Sequence, residues 1–156
     1  MTKFLILNQQ CSHLLFSQQL LEFLKLNWIS KIALGSKNGA VKSIEVEGCT
    51  ETPCKLIRGK NANVKIKFIP TISTITLRPR FTATVSGFSL NFSLDENDGC
   101  LLGASCPADR NVENQIEFSV PILNSFPIVK GQIKMRIVGD RNINIVCIEM
   151  PMQTSN

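Results

Sequence analysis

Sulfur is the first chemistry within reach of this chain. Six cysteines occur in 156 residues, and four of them form two short-range pairs: Cys49 with Cys54, and Cys100 with Cys106. Pro53, Gly99, Gly103 and Pro107 place turn formers around them, so each pair predicts a disulfide across a tight loop, and with it an oxidising compartment. Zinc is the weaker reading, because no histidine lies near and the second spacing is wider than a usual metal knuckle. Asp95-Glu96-Asn97-Asp98 offers carboxylates to calcium, yet no regular spacing of oxygen ligands continues it and a solvated turn is the simpler assignment. His13, the single histidine, sits beside an apolar run with no nucleophile to serve. Glycine-rich phosphate loops and serine elbows are missing from the sequence. The chain is therefore not expected to be an enzyme, to hold a metal or to carry a cofactor. Asn91-Phe92-Ser93 is a glycosylation sequon whose asparagine falls on the polar phase between Leu90 and Phe92, facing outward as modification requires.

Composition narrows the partners. The net charge is +5, nine phenylalanines stand beside one tryptophan and no tyrosine, and 44% of residues are hydrophobic. Such a chain has a greasy interior with almost no polar handles. A basic excess suits anionic surfaces. Nucleic acid would also need exposed aromatics among the cations, whereas here the phenylalanines alternate away from Lys65, Lys67 and Lys134, so nucleic acid is not expected.

Two patterns divide the chain. Within residues 1–33, Leu14, Leu20, Leu21, Leu24 and Trp28 recur at helical spacing after Ser12, a possible N-cap, and predict a short amphipathic helix. The same stretch is a poor signal peptide, since Lys3 is followed by only four apolar residues before Asn8-Gln9-Gln10; a surface anchor or a mis-joined first exon are its other readings. Residues 34–154 form the second region, where the period changes to two. Ile44 and Val46, Val64 to Phe68, Phe81 to Val85, Phe88 to Leu94, Ile116 to Ile122, Gly131 to Ile137 and a last run through Cys147 to Met150 alternate apolar with polar. Pro79 marks an edge or a break. The fold class this predicts is all-β: an immunoglobulin-like β-sandwich of about seven antiparallel strands in two sheets, preceded by a short helical or signal-like segment.

Three stretches together carry a resemblance: Gly48-Cys49-Thr50-Glu51-Thr52-Pro53-Cys54, then Arg58-Gly59-Lys60, then Asp98-Gly99-Cys100 with Cys106-Pro107. They resemble the Niemann–Pick type C2 and MD-2-related lipid-recognition (ML domain) family, which includes the group 2 mite allergens. Phe126-Pro127 and Val146-Cys147-Ile148-Glu149-Met150-Pro151 are similar to that family's later landmarks. The resemblance implies a secreted or lysosomal sandwich that holds a sterol, fatty acid or other lipid between its sheets and has no catalytic residues. The pocket positions it implies are Val46, Val64, Leu90, Phe92, Ile122, Phe126, Pro127, Ile133, Met135 and Ile148.

Departures from the pattern matter as much. Met135 and Ile148 stand where the sterol carriers tend to show tryptophan, and Phe126 stands where they show a tyrosine, which implies a more adaptable pocket open to acyl chains as well as sterols. Leu34 occupies the place of the cysteine that would pair with Cys147. The partner of Cys147 stays open, and Cys11 serves only if the N-terminal segment folds back. The resemblance thus implies a monomeric carrier that passes lipid to a membrane or a receptor, or else an interaction protein that displays lipid in innate immunity or chemoreception.

Overall fold

In the computed structural model, residues 33–34 and 38–156 are described; the predicted helix, His13 and Cys11 lie outside them. The described chain forms nine strands: β1 Ala33–Leu34, β2 Gly39–Val46, β3 Cys54–Ile57, β4 Asn61–Pro70, β5 Arg78–Val85, β6 Phe88–Phe92, β7 Asn114–Pro121, β8 Lys130–Val138 and β9 Asn144–Ser155. One sheet runs β1-β9-β8-β5-β6 with β3 added to β9, and the other runs β2-β4-β7. Together they make the two-sheet sandwich that the period-two pattern predicts.

Two details differ from the prediction. The strand count exceeds seven because β1 and β3 are too short to show a periodicity, with two and four residues. The pairing of β3 with β9 is parallel, Cys54 opposite Met152, so the larger sheet is mixed rather than wholly antiparallel. Pro79 lies inside β5, but opposite Ile137 of β8 and before the β6 pairing begins at Phe81, so its missing donor faces a locally unpaired side.

Burial follows the alternation. On β4, Val64, Ile66 and Phe68 are buried while Asn63 is exposed and Lys65 and Lys67 are half-buried, as expected of a strand with one face on the core. Rows of inward side chains cross the larger sheet in register: Phe92, Phe81, Met135 and Ile148 form one, and Leu90, Ala83, Ile133 and Met150 the next. The opposing sheet presents Val46, Val64 and Phe118 in one row and Ile44, Ile66 and Ile116 in another. Phe81 joins the layers, stacked on Phe92 at 5.2 Å between ring centroids and edge-on to Phe118 of the other sheet, also at 5.2 Å.

Six strands face three, and the mismatch decides what is exposed. β2 packs over β9 and β7 lies over β5, and among the described residues edge strand β6 stays largely uncovered. Phe88 and Leu90 occupy inward positions yet are 78% and 73% exposed. The uninterrupted inward row expected from Phe88 to Leu94 is therefore covered only from Phe92 onward. Alternation reports which face a side chain takes; it does not report whether a second layer reaches it.

Candidate lipid-binding region

The residues that the sequence nominated for a pocket separate into two groups. Val46, Val64, Ile122, Met135 and Ile148 are buried in the shared core, and Phe92 and Ile133 pack against it half-buried. Leu90, Phe126 and Pro127 are on the surface. Around the inter-sheet contact lies a narrow void of about 190 Å³, lined by Ile66, Phe81, Ile116, Phe118, Met135 and Val146 among others, with no room for a water-sized sphere. Of the nominated residues only Met135 borders it. The ten do not surround one open cavity; in this form the sheets meet through close packing.

Phe81 and Phe118, which line this void, are not among the nominated residues, although their inward phase is legible. What singles them out is contact with each other across the layers, and no local pattern carries that.

The surface group is held by its own scaffold. Thr154, buried near the end of β9, donates its hydroxyl to the Pro127 carbonyl at 2.6 Å and accepts from Val129 N–H at 2.8 Å. Arg58 donates from one guanidinium nitrogen to the carbonyls of Phe126 at 3.0 Å and Asn124 at 3.3 Å. Gly59 N–H donates to Ile122 carbonyl at 2.6 Å, and Ile122 N–H returns a bond to Lys60 carbonyl at 2.9 Å. Gly59 sits at φ +78°, a backbone conformation that favours glycine. Arg58-Gly59-Lys60 thereby grips the connection between β7 and β8, which carries exposed Leu123, Phe126 and Ile128. That connection enters β8 at the end of the sheet where Phe88, Val85 and Gly131 lie, so both exposed apolar groups share one end of the sandwich.

The cysteines and carboxylates have structural work. Cys49–Cys54 and Cys100–Cys106 are disulfides. Cys147 is fully buried and disulfide-bonded to a partner outside the described residues. In the acidic stretch, the Asp98 carboxylate accepts from Cys100 N–H and the Glu96 carboxylate from Asp98 N–H, so both close the loop. Gly99 donates to the Leu77 carbonyl at 2.7 Å, a contact that a Cβ would obstruct. Outside the sandwich, Lys134 pairs with Glu149 at 2.9 Å and Lys65 with Glu117 at 3.0 Å. Asn91 is exposed and accepts from the Thr82 hydroxyl.

The described residues thus form an immunoglobulin-like sandwich of two sheets around a mainly apolar core, with an exposed apolar edge. The chain belongs to the ML domain family, whose pattern matches residues 35–154. It is 29% identical to NPC intracellular cholesterol transporter 2 of Canis lupus familiaris, over 76% of this chain and 80% of that one. To mite group 2 allergen Pso o 2 of Psoroptes ovis it is 26% identical, over 67% and 73%. The solved Niemann–Pick type C2 protein of the Japanese carpenter ant superposes with a TM-score of 0.73 at 21% identity, covering 78% of this chain and 96% of that one, and so shares the fold.

Proposed function

We propose that this protein binds a sterol or fatty acid between its sheets and transfers it, as a monomer, in a secreted or lysosomal setting. The carrying observation is the inward-facing but uncovered apolar surface of Phe88 and Leu90, continuous in register with the core rows of β5 and β8. Such a surface is a ligand groove or an interaction site, not an ordinary exterior. The cholesterol transporters among its relatives support a lipid ligand, and the two short disulfides fit an oxidising lumen.

Entry runs between β6 and the β7–β8 connection, past Phe126 and Pro127. The inter-sheet void has no room for a water-sized sphere, far below the roughly 300 Å³ of even a small ligand site. Loading therefore displaces Phe92, Ile133 and Met135 and parts the sheets at that edge. Covering about 300 Å² of apolar ligand surface contributes about 7 kcal/mol gross, before the cost of association, which suits a carrier that must also release.

Native mass spectrometry of protein from its own source, followed by delipidation and uptake of labelled cholesterol or palmitate, is the direct test. Co-purified lipid and saturable uptake are expected. Protein that comes out empty and takes up neither probe would sink the carrier reading. Exchange of the labelled lipid between vesicles then supports delivery to membranes, whereas receptor binding that requires lipid without exchange would replace transfer by display.

A further inference from the structure

The outer face of the larger sheet carries a second feature that lipid binding does not use. Phe81 on β5 and Met135 on β8 point inward, so Arg80 and Arg136 point outward, and the pairing sets these two arginines directly opposite each other. Like charges in that relation repel. Neither joins any of the ion pairs among the described residues. Glu149, one step along β9 on the same face, is engaged with Lys134.

Both arginines line an open cleft of about 550 Å³, together with Asn91 and Ser93 at the end of β6 and Asn142 from the turn before β9. Phe81, Phe92 and Val138 also line it, so among the described residues the lining contains two cations, three neutral polar side chains and no carboxylate. The Nε–H of Arg136 is closed off from solvent and has no acceptor. A stranded charged donor next to a second unpaired cation calls for an acceptor from outside the chain. Guanidinium forks match oxyanions through paired hydrogen bonds, and two of them balance a doubly charged group.

We propose that the Arg80–Arg136 cleft binds a phosphate group carrying close to two negative charges, either free or on a lipid headgroup. Asn91, Ser93 and Asn142 supply further hydrogen bonds, and a small turn of the Arg136 side chain lets one oxygen pair accept from Nε–H and a terminal N–H together. The two guanidinium groups lie on the sheet's outer face, while Phe81 and Phe92 join the cleft to the edge of the core.

The test uses the full, disulfide-intact, isotopically labelled chain with Asn91 unmodified, titrated with inorganic phosphate against chloride at constant ionic strength. The Arg136 Nε–H resonance is expected to shift saturably in delipidated protein. Arg80→Gln, at an exposed position, and Arg136→Gln are each expected to weaken the response at least about tenfold while the rest of the spectrum is kept. Arg80→Lys, which preserves charge but not the fork, is expected to restore it only in part. Phosphatidylcholine vesicles with and without phosphatidic acid separate the sources. Binding that needs both phosphatidic acid and Arg80 assigns a lipid headgroup, and a phosphate response without vesicle binding assigns a soluble phosphate. A resonance that stays still, or one that moves as far in Arg80→Gln, would overturn the proposal.

Discussion

At the residue scale, the β7–β8 connection depends on two side chains from distant parts of the chain. Thr154 serves it with one hydroxyl that donates and accepts at once, inside a protein environment where an unmade bond is costly. Thr154→Val keeps the shape but strands the Val129 N–H and the Pro127 carbonyl. A loss of about 1–3 kcal/mol is expected from denaturant titration, with faster amide exchange confined to residues 123–129. Unchanged exchange there would show that the connection is held by other means. Arg58 acts on the same segment from the exposed side, so Arg58→Met is expected to loosen the loop by less than Thr154→Val while changing the rate of lipid uptake.

Between elements, Asp140 ties the turn before β9 to the segment before β5. Its carboxylate accepts from Ile75 N–H at 2.8 Å, Thr76 N–H at 3.1 Å and the Thr76 hydroxyl at 2.8 Å, while its own N–H donates to Thr74. The Ile75 bond first, then the Thr76 hydroxyl, hold the carboxyl below its ordinary value of 3.8. A lowered folded-state value means that the tie is complete above the pH where an unfolded aspartate ionises, and is lost as pH falls through the lowered value. The stability advantage of the native chain over Asp140→Ala is therefore expected to be constant above about pH 4 and to shrink with further acidification. Thermal unfolding of both proteins across that range checks it, and an advantage that grows on acidification would contradict the assignment. A lysosome-like pH leaves this tie intact.

For the whole molecule, the inequality of the two sheets is the controlling feature. Among the described residues three strands face six, so one edge of the larger sheet keeps apolar side chains that point inward and stay largely exposed. Phe92 stands at the boundary, stacked on Phe81 on one side and next to the uncovered row on the other. Phe92→Ala is expected to weaken lipid uptake while leaving both short disulfides formed, whereas Phe81→Ala, which removes the ring joining the layers, is expected to cost about 3–5 kcal/mol in stability. Uptake by Phe92→Ala equal to that of the native chain would move the binding region away from this edge.

Local spacing was enough to read the strands, the inward phase of nearly every apolar side chain and the two short cysteine pairs, because each is a matter of a few neighbouring residues. The motifs around Cys49, Arg58 and Cys100 were enough for the family. Which inward residues are covered, that Phe81 meets Phe118, that Arg58 and Thr154 grip the same loop, and that Arg80 faces Arg136 were decided only in three dimensions. Those facts depend on register between strands far apart in the chain and on how many strands lie in each layer, and neither quantity leaves a period in the sequence.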